Sequence, residues 1–321
     1  MMRFMRHHII TSNFMFFNCH TAFSFKYGTL QVDQLFAEAK RCGVRKLVLT
    51  EINNTASYIE MLRLCRERKP VNGTDLTAFG KEAYELEIAL GIEFRKKNQL
   101  LFISIAQNND GFEKINRFLS YHNSKELPLP ERAPEFEDVF VIYPFGKLEP
   151  ELLRANEFIG VRINQLNQLG FYPSYKEHKE KFLAHQPVTF ASKIDFNVHR
   201  LLRAIDNNTL LSKLATEQQA LSSEVMMKEE ELKNHYINYP ELIENAKHLV
   251  DRCSIDFDLG TDKNKQTLTG SDESDWDLLV TSAWEGFQKR YDVSKPELRE
   301  RFQRELNIIK NKGFCAYYLV A

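Results

Sequence analysis

Short apolar runs alternate with amphipathic segments over the first two-thirds of the chain. "MFFNCH" (15–20), "KLVLT" (46–50), "EIALGIEF" (87–94), "LLFISIA" (100–106), "VFVIYP" (139–144) and "FIGVRI" (158–163) predict strands, and "PVTFA" (187–191) a weaker one. Between them, "TLQVDQLFAEAKRCG" (29–43) predicts a helix with Thr29 as N-cap, Leu35, Phe36, Ala39 and Cys42 on one face, and Gly43 as the stop. "ASYIEMLRLCRE" (56–67) predicts another, and "DGFEKINRFLSYH" (110–122) a third, with Asp110 and Glu113 spaced as a capping box. "PVNGTDLTAFG" (70–80) predicts a turn-rich loop.

Such alternation implies parallel strands joined by right-handed crossovers, in a barrel or a doubly wound sheet. In either, chemistry collects at the C-terminal strand ends. His20, Glu51 and Glu93 all fall at such ends.

After about residue 195 the pattern turns helical, with "DFNVHRLLRAID" (195–206) and "YPELIENAKHLVDRC" (239–253). The second has Pro240 near its first position and Leu242, Ala246, Leu249, Val250 and Cys253 on one face. "DKNKQTLTGSDES" (262–274) predicts a polar linker. Ser274 and Asp277 open a further helix showing Trp276, Val280, Ala283, Phe287 and Tyr291; Ser294 and Glu297 open another showing Leu298, Phe302, Leu306 and Ile309, ended by Gly313. "FCAYYLVA" then begins an apolar strand at the chain end, as in a truncated protein. The expected organisation is an extension over 1–14, a β/α domain over 15–260, and a linker with two helices over 261–321.

Composition narrows the classes. The chain has 321 residues, 43% apolar and 27% charged, with a net charge of −1. It lacks the basic field of a free-standing nucleic-acid binder. Its five cysteines are scattered and form no CxxC pair, which fits a reducing cytosol rather than a zinc knuckle or disulfide framework. No membrane span or secretory signal is expected, nor any glycine-rich phosphate loop. A cytoplasmic location follows.

His20 can ligate a metal through a neutral imidazole, Glu51 and Glu93 through carboxylates, and Asn18 only through a carbonyl oxygen that Zn²⁺ accepts poorly. The competing reading makes His20 a hydrogen-bonded strand-end histidine and pairs the glutamates with basic residues. Cys19 faces away from His20 along a strand, so the two cannot act together. His199 reads as a packing or capping residue, while His122, His178, His185, His235 and His248 read as solvated.

"NCHTAFSFKYGTL", "KLVLTEINN", "LGIEF", "AQNNDGFEKINRFLS" and "DFNVHRLLRAIDNNTLLS" follow in an order and spacing that resembles the polymerase-and-histidinol-phosphatase (PHP) domain of bacterial replicative DNA polymerase III alpha subunits. "ELNIIKNKGFCAYYLV" (305–320) resembles the lead-in to the palm of that polymerase. The resemblance implies an α/β fold, a distorted seven-stranded β/α barrel, followed by a helical segment leading to a palm. It also implies a metal pattern of about nine ligands. The opening His-x-His falls on Asn18 and His20, the following acidic position on Tyr27, and Thr-Asp-His on Thr50, Glu51 and Ile52. Gly91, Ile92 and Glu93 keep Gly-x-Glu, whereas the late Asp-x-His falls near 187–193, which offers no ligand. Two or three ligands remain, and the aliphatic Ile52 binds no metal.

The expectation is therefore a remnant site of His20, Glu51 and Glu93, lined by Asn18, Tyr27 and Ile52. No catalytic residue is expected in this stretch and no tightly bound cofactor, at most one weak Zn²⁺ or Mn²⁺. Mg²⁺ would serve the full-length polymerase. The implied partners are the palm and thumb, a separate proofreading exonuclease subunit, and DNA only through the full-length protein. Two alternatives stand beside this: an active metal-dependent phosphoesterase or 3′–5′ exonuclease of the same family, and a free-standing small-molecule phosphatase.

Overall fold

The computed structural model describes residues 16–67, 85–261 and 267–321. Two compact units divide at residues 257 and 258. The expected extension over 1–14 and loop over 70–80 lie outside the described residues.

The first unit is built on one seven-stranded sheet in sequential order, β1 (Phe16–Cys19), β2 (Lys46–Ile52), β3 (Glu87–Lys96), β4 (Gln99–Ala106), β5 (Val139–Pro144), β6 (Glu157–Val161) and β7 (Phe182–Ala184). Around it lie α1 (Val32–Cys42), α2 (Tyr58–Glu67), α3 (Asn109–Ser124), α4 (Leu166–Gly170), α5 (Lys193–Asp206), α6 (Glu229–His235) and α7 (Pro240–Asp251). This is a curled α/β half-barrel, in keeping with the seven-stranded form that the resemblance implies and with one of the two architectures the alternation leaves open.

Its pairing differs from the all-parallel expectation. β1, β2 and β3 are parallel, as are β5, β6 and β7, but β4 runs antiparallel to both neighbours. The reason is the link. Only Lys97 and Asn98 separate β3 from β4, and Lys97 adopts φ 55°. Two residues close a hairpin and cannot carry a crossover, which needs a dozen or more.

The last strand also shifts. Residues 187–191 form no strand; β7 is Phe182–Ala184 instead. Val188 nevertheless bridges to Cys19, with His20 N–H donating to Val188 O at 2.8 Å and Val188 N–H to Asn18 O at 2.9 Å. That bridge brings the end of the sheet round to β1 and fixes the backbone on both sides of Cys19, between Asn18 and His20.

Several helix starts sit away from the expected residues. Gln31 rather than Thr29 precedes α1, and Asn108 rather than Asp110 caps α3 by accepting from Gly111 N–H at 2.9 Å. Asn and Asp compete for a cap, and the one whose backbone is extended wins. At the other end of α1, Gly43 turns left-handed (φ 75°), and Val44 N–H reaches Ala39 O at 2.9 Å, the Schellman closure the sequence signals.

The main core joins strand residues Val48, Ala89, Ile103, Ile105, Phe140 and Ile142 to Ala246, Leu249, Val250 and Cys253 of α7. This is the α7 face that its spacing predicts. Each fully buried aliphatic side chain contributes about 2 kcal/mol of transfer free energy. Ala89, Gly91 and Glu93 alternate along β3 and so share one sheet face. Gly91 is required there: a Cβ would run into the Ser104 carbonyl and lie 2.9 Å from the Thr50 methyl.

The second unit holds α8 (Asp272–Arg290), α9 (Pro296–Asn311) and α10 (Cys315–Val320). Ser271, not Ser274, caps α8, and Lys295 rather than Ser294 precedes α9. The tail of the expected linker, 272–274, therefore belongs to α8. Buried Asp275 holds the approach to that helix, accepting from the Leu268 and Thr269 N–H groups at 2.7 Å each. Phe287 packs on Phe302 with ring centroids 4.7 Å apart. The expected terminal strand is a helix, α10. A six-residue apolar run carries no period that separates helix from strand.

Candidate functional site

The site lies where β1, β2 and β3 end. Asn18, His20, Thr50, Glu51 and Glu93 are there, each with 0% exposure. Glu93 is the centre. Its Oε2 accepts from Asn18 Nδ2 at 2.8 Å and faces His20 Nε2 at 3.0 Å, while Oε1 accepts from Arg95 Nε. A side chain two residues on along a strand returns to the same face, so β3 supplies both the carboxylate and its cation.

Arg95 is itself fixed from several sides. Asn53, left-handed at φ 51°, accepts from Arg95 N–H at 2.9 Å and donates to Arg95 O at 2.8 Å. The guanidinium donates to the Tyr27 hydroxyl at 2.9 Å and lies 4.1 Å from the centre of that ring. Tyr27 also packs edge-on against His20 and His199, with centroids 5.6 and 4.8 Å away.

A second chain of contacts runs from the other side of His20. Its Nδ1 lies 3.2 Å from Thr189 Oγ1, that hydroxyl donates to Glu224 Oε2 at 2.7 Å, and Glu224 Oε1 pairs with Arg162 at 2.9 Å. Because the Thr189 hydroxyl proton is spent on Glu224, His20 Nδ1 is the donor in their contact. His20 Nε2 points at a carboxylate, which only accepts. Both ring nitrogens are engaged within the protein.

Glu51 stands apart from this network. Its carboxylate accepts from Thr21 N–H and from the hydroxyls of Thr21, Ser24 and Ser57. It therefore holds the 21–24 turn and the start of α2. Of the three expected ligands, the structure brings His20 and Glu93 together and gives Glu51 another task. Asn18 and Tyr27 line the site as placed above; Ile52 packs into a small cluster with Tyr27, Phe190 and Ala220.

His185, read above as solvated, is buried at 1% exposure. It follows β7, its Nε2 lies 3.1 Å from Asn18 Oδ1, and its ring stacks on Phe17 at 5.2 Å. The charged "YKEHKEK" run nearby concealed it, because β7 itself is only three residues long. Arg95, Arg162, Thr189 and Glu224 were also missed. For Arg95 a signal existed, the same-face spacing from Glu93. For Glu224, in an irregular segment, none did.

The electrostatics follow from burial. Burial alone would raise the Glu93 carboxyl, but the Arg95 guanidinium, with His20 and Asn18, holds it well below the usual carboxylate range. Arg95 is likewise opposed by burial and held above its ordinary value by Glu93 and Tyr27. Breaking such a buried pair by removing one member costs about 3–5 kcal/mol. Burial, then Arg162, pushes His185 well below the usual histidine range. Burial takes His199 down to about 4. Its partners fix the neutral tautomer: Nδ1–H donates to Tyr27 O at 2.6 Å, and Nε2 accepts from Ala220 N–H at 2.8 Å. Burial, with Glu51, raises the Cys19 thiol, so it is no nucleophile.

These residues do not fit a metal centre. Among the described residues no group of three or more His, Cys, Asp or Glu side chains is disposed to hold an ion. Beside the network opens a cleft of about 490 Å³, lined in part by Tyr27, Arg95, Asn98, Arg162, Gln219 and Glu224.

A curled seven-stranded sheet with its polar cluster at the strand ends is the architecture of a PHP domain, and residues 17–154 match the profile of that family, the PHP domain. The chain is thus similar to that family over residues 17–154. It is 24% identical to the DNA polymerase III subunit alpha of Bacillus subtilis over 96% of its length and 29% of that protein. It is 23% identical to the same subunit of Neisseria meningitidis serogroup A, over 94% of the chain and 29% of the relative. An error-prone DNA polymerase of Symbiobacterium thermophilum matches at 22%, over 96% and 31%. The chain thus spans about three-tenths of the length of these relatives. Among the described residues no helix is long and apolar enough to cross a membrane.

The neutral buried histidines set a pH dependence. Their folded values lie below the unfolded value of about 6.5, so between those values the unfolded chain binds more protons and stability falls as pH falls. Glu93 adds to the loss only below about 4.5, where the unfolded carboxyl begins to take a proton. The urea midpoint is expected to drop between about pH 7.5 and 5.5, and His199→Gln to flatten part of that slope. An unchanged midpoint over this interval would refute the assignment.

Proposed function

We propose that this chain is the N-terminal PHP module of a replicative DNA polymerase III alpha subunit, and that the module acts as a cytoplasmic scaffold rather than as a phosphoesterase. The parent protein is a DNA-directed DNA polymerase whose Mg²⁺-dependent nucleotidyl transfer takes place in the palm. The module supports palm and thumb and offers a docking face to a separate proofreading subunit.

One observation carries the scaffold reading. Glu93, the carboxylate of the intact Gly-x-Glu element, is saturated by Asn18, His20 and Arg95, all within the protein. A two-metal centre needs carboxylates and imidazoles with lone pairs turned to the ions. Here the network consumes those lone pairs internally, and Glu51 is spent on hydroxyls. The match to polymerase III alpha subunits over nearly the whole chain supports the parent assignment.

Elemental analysis after dialysis against trace Zn²⁺ and Mn²⁺ tests the scaffold reading. Less than about a tenth of an equivalent is expected, whereas one or more equivalents lost in His20→Ala would restore the enzyme reading. The docking role predicts that a proofreading exonuclease from the same organism co-sediments with this chain at micromolar concentration. Separate sedimentation of the two would remove that role.

A further inference from the structure

The mismatch between this site and a metal centre has a specific form, a protein cation in the middle of the cluster. Glu93 has no exposed surface, and an isolated buried carboxylate is not tolerated without a counter-charge. The fixed charge set against it is the Arg95 guanidinium, which also binds the Tyr27 hydroxyl at 2.9 Å. A second buried carboxylate, Glu224, is matched by Arg162 at 2.9 Å. The two pairs meet through His20, which touches Glu93 at 3.0 Å on one side and Thr189, bound to Glu224, at 3.2 Å on the other.

We propose that Arg95 is a built-in cation that takes the place of a metal ion at the strand ends: Glu93 closes on its guanidinium through Oε1 instead of on a divalent ion, while Asn18 and His20 hold the same carboxylate through Oε2. This rests on the scaffold reading above and deepens it. Three features make Arg95 suited to the role. It leaves β3 on the same face as Glu93, its backbone is clamped by the Asn53 amide, and its planar head lies against the Tyr27 ring at 4.1 Å. A guanidinium offers several donors in a fixed fork and remains charged at any working pH, so it can bridge Glu93 and Tyr27 at once. A lysine ammonium, a single flexible point charge, fits this geometry less well.

A double-mutant cycle on the whole chain tests the assignment. Arg95→Ala and Glu93→Gln are each expected to lower Tm by at least about 5 °C, since each strands a buried charge. The double variant should be more stable than Arg95→Ala alone, because both charges are gone. Arg95→Lys should fall between wild type and Arg95→Ala, and it carries the comparison if the alanine variant does not fold. In metal-stripped protein, added Mn²⁺ or Zn²⁺ should raise the Tm of Arg95→Ala, whose vacated space adjoins Glu93. Wild-type Tm should not move.

Additive losses, or an Arg95→Ala variant as stable as wild type, would overturn the proposal. So would coupling without any metal response in Arg95→Ala, which would leave an ordinary ion pair. A wild type stabilised by metal would instead defeat the scaffold reading, and the cycle would still report on Arg95 separately.

Discussion

A carboxylate with no exposed surface, Glu93, must be neutralised where it stands, and the arrangement of the strand ends follows from that requirement. Arg95 supplies the charge from the same strand, Asn18 on β1 donates to the carboxylate, and His20, just past that strand, lies 3.0 Å from it. Each of those partners is held in turn. Val188 pairs with the backbone on both sides of Cys19, His185 meets the Asn18 side-chain oxygen, and Thr189 meets His20. The polar cluster therefore ties β1, β3 and the segment after β7 together.

The two glutamates of the expected ligand set show how similar residues diverge in role. Glu51 and Glu93 both lie near strand ends and both are fully buried. Glu51 is surrounded by hydroxyls and a backbone N–H, so it braces a turn. Glu93 is surrounded by a guanidinium, an imidazole and an amide, so it organises a charge cluster. The chemistry of each is set by its neighbours, and a ligand pattern read from residue types alone treats them as equal.

Much of the fold was legible in the sequence because its signals are local. The apolar runs at 46–50 and 139–144, the Gly43 stop and the α7 stripe each encode an element within a few residues. The antiparallel β4 was missed although the two-residue link "KN" was in plain sight, because alternation suggested crossovers everywhere. The polar cluster at the strand ends was visible through His20 and Glu93. Its charged partners were not. Arg162 and Glu224 lie 62 residues apart and meet only through the closing of the sheet. His185 was hidden by a charged neighbourhood in sequence that is not its neighbourhood in space. Long-range charge pairing leaves no periodic trace, and that is where the reading ran out.

The central claim is that a guanidinium occupies the position of an ion. Anomalous scattering at the manganese edge, from crystals of this chain grown in Mn²⁺, addresses it most directly. The account predicts no anomalous peak at the strand ends and Arg95 seated on Glu93. A peak ligated by His20 and Glu93, with Arg95 turned out toward the cleft, would contradict it.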